Sequence, residues 1–509
     1  MSQKAKVLYF SFYAVIIGYL IFIHYFSYKI SIDAAIFNNI LFNSLHGNIG
    51  FSSIEGINHF SMHFSPFLLI LLPFYPLLSN YTLIIASYLS FLFSVIGVYF
   101  IVNQVSKNGK LSFLIGLTFI CYAPFLHNIV WDFHEIILAL PFFVFSFYLL
   151  MKNKVWLSLF LFMFTFLIKE ETFLLGIAFG LYMFFFHRKK QGLWLVVFSV
   201  LGFILVVKFI MPVLFGGGQS NLLWERYDYL GSSLSVILTK ILREPFSVFF
   251  PPFYMRKLIA LICLFLPLFF LPFMSLSVLF IPLVTIAYSY FSKLPQLDYA
   301  DHYALPVIPY IFIAYIFAME KLNIFLKNKK LIIYGLTFFV LIFNMIFSLF
   351  SFYMRGSYER LKPLDNKKAF FSVVKLIPYD ASVLTHSISS FYCSDRKNIY
   401  VTYNFNPADV AKYDPDYILI NFRVVFYDGG ERTNELDKRA NNLKKIVFNS
   451  KYKPIFFEND VLLLSRQTLS NNDMKSNLSL FKEYDFNKYK NSNYLNFVPG
   501  FIKQIATKQ

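Results

Sequence analysis

The sequence predicts a mainly α-helical, polytopic membrane protein with a small α+β domain at its carboxyl end. Hydrophobic residues make up 57% of the 509 residues and charged residues only 15%, whereas soluble chains carry about 25% charged residues. Apolar runs follow one another as far as Tyr353, and short strand-like segments replace them beyond that point. This composition excludes a soluble enzyme, a disordered chain and a disulfide-stapled secreted module.

About eleven apolar runs are predicted to cross the membrane, because a bilayer core takes roughly 20 apolar residues per helix. The first run, Val7–Tyr28, lacks a small-residue cleavage site, so we interpret it as a span rather than a cleavable signal. Ser65–Leu78 is short and contains three prolines, which predicts a re-entrant or interfacial segment. The predicted spans are Val7–Tyr28, Tyr81–Val105, Leu111–Leu126, Ile136–Met151, Val155–Ile168, Thr172–Phe186, Leu193–Phe215, Leu258–Phe273, Leu276–Phe291, Tyr303–Met319 and Leu331–Tyr353.

The charge distribution predicts an orientation. The formal net charge is +18, and the basic residues lie in short clusters between apolar runs, as the positive-inside rule expects of cytoplasmic loops. This pattern disfavours nucleic-acid binding. It places the amino terminus in the cytoplasm and the carboxyl-terminal domain outside a plasma or inner membrane. Of the acidic residues before Met354, only Glu320 then falls on the cytoplasmic side. Acidic residues contribute little to orientation, so this asymmetry indicates a polar site at the exterior face.

Three regions are predicted: a transmembrane domain over residues 1–353, an exterior α+β domain over 354–470 and a polar, poorly ordered tail over 471–509. In the exterior domain, Glu458-Asn459-Asp460 has the composition of a hairpin turn. Lys367–Leu376 is predicted to be a short helix. The predicted strand segments are Ser382–Ile388, Asn398–Tyr403, Asp416–Tyr427 and Ile455–Arg466.

Asp33 directly follows the first span and opens a segment with helical periodicity. The apolar positions of this segment predict an amphipathic helix along the outer interface. A partly desolvated carboxylate at this boundary could act as a general base toward a hydroxyl group. The alternative is a helix cap or a surface charge. The apolar positions are Ile36, Phe37, Ile40, Leu41 and Leu45, and the polar edge carries Asn38, Asn39, Asn43 and His46.

Asp132-Phe133-His134-Glu135 places two acids and an imidazole within four residues. If Asp132 and Glu135 are helical, their i, i+3 spacing puts them on one face. Such a pair suits Mg²⁺ or Mn²⁺ through oxygen ligands, or it could orient a sugar by hydrogen bonds. A hydrated loop is the alternative. His63, in Ser-Met-His-Phe-Ser-Pro, is a further binding candidate or a satisfied interfacial residue.

Lys169-Glu170-Glu171 separates two apolar runs, and ionisable residues at membrane depth are functional candidates because they are costly to bury. Loop charge favours a helical hairpin broken here over one helix from Val155 to Phe186. Lys169 could then meet a lipid phosphate as a point charge, with Glu170 or Glu171 as its partner. A purely structural ion pair is the alternative.

Two later segments complete the set of polar candidates. Asp301 and His302, in Leu-Asp-Tyr-Ala-Asp-His-Tyr, lie at the outer end of another pair of spans. The long exterior loop carries three arginines whose positive charge could help to hold a phosphate: Arg226, Arg243 and Arg256. No Walker A loop, Rossmann glycine pattern, HExxH or nucleophile elbow occurs in the sequence.

Several of these segments resemble the membrane-protein family DUF2079, from about Ser31 to Arg466. The resemblance implies a relation to the GT-C superfamily of integral membrane glycosyltransferases, which use lipid-phosphate-linked sugars at the exterior face. It also implies that Asp33, in the first exterior loop, is the base. The matching segments are Asp33-Ala-Ala-Ile-Phe-Asn-Asn with Gly47, His63-Phe64-Ser65-Pro66, Asp132–Glu135, Lys169–Glu171, Asp301-His302-Tyr303, Ile377–Val383 and the hairpin Ile455–Arg466.

The leading hypothesis is therefore transfer of a sugar from a polyprenyl-phosphate donor to an exterior glycan, lipid or protein acceptor. A transporter or flippase for a lipid-linked or anionic substrate is the second hypothesis. It is disfavoured because transporters place ionisable residues near the midplane, whereas these residues gather at one face. The third hypothesis is a non-catalytic scaffold that displays the exterior domain.

Overall fold

The computed structural model describes residues 2–216, 225–294, 296–327, 329–355, 357–425, 433–447 and 451–466. The predicted tail over 471–509 lies outside these residues. Within them, five helices are long and apolar enough to cross a membrane, and two bent helix pairs could each add one more. The five are Gln3–Phe26, Tyr81–Ser106, Gln191–Leu214, Ile308–Phe325 and Lys330–Met354, and the bent pairs are Gly109–Cys121 with Ala123–Ile129 (67°) and Tyr254–Leu268 with Leu271–Leu279 (84°).

Shorter apolar helices fill most of the remaining predicted spans. They confirm a mainly helical protein with many apolar helices, although the count of about eleven spans is not confirmed by length and composition alone. The predicted re-entrant segment forms one of these short helices. They are Pro66–Leu78, Glu135–Met151, Val155–Leu167 and Thr172–His187; the remaining helices between residues 225 and 294 are Leu234–Arg243, Pro245–Phe249 and Leu283–Phe291.

The chain breaks its helix at Lys169, as the hairpin interpretation expects. One helical segment ends at Leu167 and the next begins at Thr172. Phe166 stacks on Phe173 with ring centroids 4.3 Å apart, and Phe162 stacks on Phe179 at 4.9 Å. Contacts in this order require the two helices to run antiparallel. The charged residues therefore occupy the turn of a helical hairpin.

The chain divides into two compact units. The helical unit comprises Met1–Ile21, Phe60–Leu68 and Ile84–Ser351. The sheet unit comprises Phe22–His59, Leu69–Leu83 and Phe352–Gln509.

The sheet unit is built on a five-stranded sheet with the order β4-β3-β5-β7-β6. Strands β3, β4 and β5 are parallel, whereas β7 is antiparallel to both β5 and β6. A separate antiparallel pair, β1 with β2, follows the Asp33 segment. The bounds are β1 Phe51–Ser52, β2 Ile57–Asn58, β3 Val383–His386, β4 Ile399–Thr402, β5 Tyr417–Asn421, β6 Lys453–Glu458 and β7 Val461–Ser465.

Helices cover both faces of this sheet, which explains why its central strands β3, β5 and β7 are buried at every position rather than at alternate ones. On one face, Leu384, Ile418 and Leu464 pack with Leu443. On the other face, strand residues pack with Phe370. The helices of this unit are Ile32–Leu45, Ser357–Leu361, Lys367–Val374, Ser387–Ser390, Pro407–Tyr413, Phe422–Val425 and Thr433–Val447.

The sheet unit corrects one predicted strand. Asp416–Tyr427 is a strand only as far as Asn421, and a short helix follows. The Asn421 side chain accepts a hydrogen bond from the Arg423 backbone N–H at 3.1 Å, and such local side-chain bonds favour turns over strands. The hairpin turn is confirmed: Asn459 and Asp460 have φ values of 45° and 65°, as a tight turn between antiparallel strands requires.

Candidate functional site

The candidate site of the helical unit is centred on a buried ion pair. The Lys169 ammonium lies 3.0 Å from Glu135 Oε1, and their side chains are 2% and 0% exposed. Lys169 stands at the turn of the hairpin, and Glu135 begins the short helix that leads into Leu140–Met151. Each charge is thus presented by a helix end at which an apolar run is interrupted. Breaking such a pair leaves an uncompensated charge in an apolar surrounding.

Imidazole rings extend this ion pair. His134 Nδ1 lies 2.5 Å from Glu135 Oε2, so both oxygens of Glu135 are engaged. The His134 ring stacks on His302 with centroids 3.5 Å apart and planes inclined by 13°. His302 Nδ1 in turn lies 2.6 Å from Asp301 Oδ1. Two histidines, each paired with a carboxylate, therefore stack through their imidazole rings.

A third carboxylate–imidazole pair belongs to the same unit. His63 Nδ1 lies 3.0 Å from Glu170 Oε1, and the backbone N–H of Phe64 donates to Glu170 Oε2 at 2.9 Å. The His63 side chain is 23% exposed while Glu170 is 4% exposed. The carboxylate thus anchors an imidazole that remains partly accessible.

Groups around Lys169 complete the network. Glu171 Oε1 lies 4.0 Å from its ammonium, and the ammonium lies 5.8 Å from the centroid of the Tyr303 ring. Burial raises the pKa of Tyr303, whereas the positive charges of Lys169 and Arg226 lower it. Arg226 is partly buried, so a second cation approaches this part of the helical unit.

The titration behaviour follows from burial and pairing. Burial lowers the pKa of His134, and although Glu135 opposes this shift, the pKa falls to about 3. His134 is therefore neutral at pH 7 and can donate its Nδ1 proton to Glu135. Burial also lowers the pKa of Lys169, but Glu135 and the neighbouring carboxylates outweigh it and the pKa is raised. Lys169 stays charged.

The acidic partners remain ionised for the same reason. Burial raises the pKa of Glu170, yet the charge and hydrogen bond of His63 lower it to about 2. Burial likewise raises the pKa of Asp301, and its hydrogen bond with His302 lowers it to about 2. At pH 7 the network therefore contains the ionised carboxylates of Glu170 and Asp301, the charged Lys169 paired with Glu135, and the imidazole rings.

Two sequence interpretations need correction here. Asp132 and Glu135 do not share a helical face, because Asp132 lies outside any helix and the helix begins only at Glu135. The expected partner of Lys169 was Glu170 or Glu171, but its closest carboxylate is Glu135, which lies 34 positions away along the chain. The hairpin turn points Glu170 at His63 instead.

The contacts of Glu135 disfavour Mg²⁺ or Mn²⁺, one of the alternatives considered for Asp132 and Glu135. Among the described residues, no group of three or more His, Cys, Asp or Glu side chains could hold a metal ion. The two Glu135 oxygens face the Lys169 ammonium and His134, so Lys169 supplies the positive charge that a cation would bring.

Asp33 lies in the first turn of the helix Ile32–Leu45 in the sheet unit and is partly buried. Most of the polar edge predicted for this helix does not face water: Asn38, Asn39 and Asn43 are fully buried, and only His46, at the end of the edge, is exposed. The amides of Asn38 and Asn39 bond to residues of the carboxyl-terminal segment, among them Asp395, which the sequence interpretation missed, and that of Asn43 bonds to Asn39 and to the carbonyl of Phe51. Two asparagines in succession on an otherwise apolar helix were the available signal, because buried amides need partners.

Comparison with solved structures identifies the fold. The structure of ArnT from Cupriavidus metallidurans bound to undecaprenyl phosphate superposes with a TM-score of 0.57 at 11% identity, covering 92% of this chain and 99% of that one. ArnT in the apo state gives 0.54 at 10% identity, covering 91% and 98%. No curated protein matches the sequence. The chain thus has an ArnT-like, mainly helical fold, whose long apolar helices are those of an integral membrane protein.

The sequence comparison gives the family. The model of the family described as "Predicted membrane protein (DUF2079)" matches residues 28–463. The chain belongs to this family, which confirms the resemblance drawn from its motifs.

Proposed function

We propose that this protein transfers a sugar from a polyprenyl-phosphate donor to an acceptor outside the cell membrane. The proposal is supported by the ArnT-like fold, since one of the ArnT structures holds undecaprenyl phosphate. We further propose that the amino terminus is cytoplasmic and that the carboxyl-terminal domain, from residue 354 onward, is exterior, in a plasma or inner membrane.

One observation carries the proposal: the charged network of the helical unit occupies helix breaks in an apolar chain. Buried ion pairs contribute little net stability compared with apolar packing, and ionisable groups at membrane depth are costly. Lys169, Glu135 and Glu170 are each at most 4% exposed. A role in chemistry or ligand binding therefore explains these buried charges better than a contribution to folding stability does.

In the proposed reaction, Asp33 takes the proton of an acceptor hydroxyl as the oxygen attacks the anomeric carbon. A bond forms between that oxygen and the sugar, and the bond between the sugar and the phosphate oxygen breaks. The phosphate leaves on its polyprenyl chain with the bonding electron pair. Attack opposite the leaving group inverts the configuration at the anomeric carbon.

The histidines of the network are proposed to bind the sugar. His63, His134 and His302 are 23%, 13% and 12% exposed, and each is oriented by a carboxylate through Nδ1. A fixed imidazole presents its other edge to hydroxyl groups, and its ring face provides an apolar contact. Asp132, Glu171 and Asp301 are proposed as further hydrogen-bonding partners.

The leaving phosphate needs positive charge, because negative charge grows on it in the transition state. Lys169 is 2% exposed and already neutralised by Glu135, so we propose that it acts mainly by holding Glu135 and His134 in place. Arg226, whose positive charge lowers the pKa of Tyr303 together with that of Lys169, is the proposed phosphate contact.

The assignment of Asp33 is tested with purified protein and radiolabelled polyprenyl-phosphate sugars. Asp33→Asn should abolish transfer while leaving expression and thermal stability intact, because the amide cannot accept the proton. Asp380→Asn is the matched control, since Asp380 is an exposed carboxylate of the same unit. Normal turnover by Asp33→Asn would remove Asp33 from the mechanism.

A further inference from the structure

A single carboxylate joins three segments of the sheet unit. Asp395 accepts hydrogen bonds from Asn38 Nδ2, Tyr75 OH and Ser79 Oγ, each at 2.5 Å. Asn38 belongs to the helix Ile32–Leu45, which begins one residue before Asp33. Tyr75 and Ser79 lie at the end of the proline-rich segment. Three donors converging on one carboxylate fix the relative positions of these segments.

Neighbouring bonds strengthen the same junction. Asn39 Nδ2 donates to the carbonyl oxygens of Ser394 and Arg396 at 3.2 and 2.8 Å. Its Oδ1 accepts from the backbone N–H of Ser53 at 2.8 Å, and Ser53 Oγ bonds to both the N–H and the carbonyl of Ile399. The helix is thus held on β4 through buried polar groups, for which few alternative partners exist.

The chain just before Asp33 is held by the same unit. The backbone N–H of Leu364 donates to the Ser27 carbonyl at 3.1 Å. The Tyr28 ring contacts the Phe371 ring with centroids 4.9 Å apart. The Lys367 ammonium lies 5.5 Å from the centroid of the Tyr28 ring. Asp33 therefore stands between two anchored stretches of chain.

We infer that Asp395 is a positioning residue for the proposed transfer, because it fixes the helix from which Asp33 acts. The inference rests on the proposed function. Asn38 follows Asp33 by five residues, about 7.5 Å along a helix axis at a rise of about 1.5 Å per residue. Loss of the anchor would therefore move or loosen the first turn, and a misplacement of about 1 Å can cost on the order of 100-fold in rate.

Three variants test the junction. Asp395→Ala removes the acceptor for all three donors. Asn38→Asp places two carboxylates at hydrogen-bond distance, where they repel. Asn38→Asp combined with Asp395→Asn reverses the pair: the new amide nitrogen, in the place of Oδ1, donates to the new carboxylate, and the amide oxygen, in the place of Oδ2, still accepts from Ser79. Asp380→Ala, at an exposed carboxylate of the same unit, is the control.

Two readouts separate positioning from general stability. The first is kcat with the radiolabelled donor: we expect a fall on the order of 100-fold for Asp395→Ala and Asn38→Asp with KM little changed, and recovery in the reversed pair. The second is the mobility of a spin label on Asp33→Cys, with Cys121 and Cys263 replaced by Ser. The label should become mobile in both single variants and immobile again in the reversed pair.

The label measures position without any turnover, so the inference can fail independently of the proposed function. An inactive parent protein would count against sugar transfer, while the label spectra would still decide whether Asp395 holds the helix. An unchanged label spectrum in Asp395→Ala would overturn the inference. So would wild-type kcat in that variant, or a reversed pair no better than Asn38→Asp alone.

Discussion

At the scale of single residues, the cost of burying charge made most of the candidate site predictable. Lys169, Glu135 and His134 stand out in the sequence because they interrupt apolar runs. Their partners did not follow from the sequence: His134 stacks on His302 across 168 positions of the chain, and only the packing of distant helices brings such residues together. Local spacing suggested Asp132 with Glu135, which is not seen, and Lys169 with Glu170 or Glu171; Glu171 does lie 4.0 Å from Lys169, but the distant Glu135 lies closer, at 3.0 Å.

The buried ion pair predicts a large effect on stability. Lys169→Met should lower the free energy of unfolding by about 3–5 kcal/mol, because Glu135 would be left fully buried without its cation. Lys154→Met removes an exposed lysine and should change the free energy of unfolding by no more than about 0.5 kcal/mol. Denaturant unfolding in detergent micelles measures both. Equal stability of the two variants would show that the pair carries no buried charge.

The pKa of His134 predicts a dependence of stability on pH. The folded pKa is about 3, and an unfolded histidine titrates near 6.5. Between these values the unfolded chain binds more protons, so stability rises with pH and is lost as the pH falls from about 6.5 toward 3. The contribution of this one group has a slope of at most about 1.4 kcal/mol per pH unit.

Comparison with His134→Asn isolates this contribution. The Asn amide can still donate to Glu135 but does not titrate, so its stability should fall less steeply over the same pH range. Thermal unfolding from pH 7 to pH 4 in one detergent measures the two slopes. Equal slopes of stability against pH in the two proteins would mean that the pKa of His134 is not lowered by folding.

At the scale of elements, apolar length and proline content predicted most helices, while glycine explains how two of them pack. Helices Thr172–His187 and Gln191–Leu205 approach closely at Gly180 and Gly192, where a Cβ on Gly180 would lie 2.6 Å from the Gly192 carbonyl oxygen. Small residues at such crossings are typical of membrane helices. The sequence contained these glycines, but their shared contact required the structure.

Gly180→Ala should therefore destabilise the protein by roughly 1–3 kcal/mol, because the opposing atom is backbone and cannot rotate away. Gly335→Ala is the matched control in another long helix, with nothing within 4 Å of the added Cβ. It should be neutral or stabilising by up to about 1 kcal/mol. Thermal unfolding of the two variants side by side tests the close approach, and a neutral Gly180→Ala would contradict it.

The helix Ile32–Leu45 shows where element-level reasoning failed. Its apolar periodicity predicted the helix correctly, but an amphipathic pattern does not state what the polar edge faces. Asn38 and Asn39 face Ser394, Asp395 and Arg396, rather than water. Residues more than 350 positions away determine this burial, and no local pattern encodes them.

At the scale of the whole molecule, the proposed orientation makes a prediction about access. Lys397→Cys, at an exposed position of the sheet unit, should react with a membrane-impermeant thiol reagent added to intact cells. Lys154→Cys, exposed and predicted to be cytoplasmic, should react only after permeabilisation. The parent protein, whose native Cys393 is buried, supplies the background. The reverse pattern would invert the proposed topology.

The measurement that tests the central claim most directly is the fate of the donor lipid. Purified protein in liposomes is supplied with a radiolabelled polyprenyl-phosphate sugar and an acceptor extract, and the lipids are separated by chromatography. Sugar transfer predicts free polyprenyl phosphate and a labelled acceptor in equal amounts, both absent with Asp33→Asn. Movement of the intact labelled lipid between leaflets, with no free polyprenyl phosphate formed, would contradict transfer and indicate a transporter.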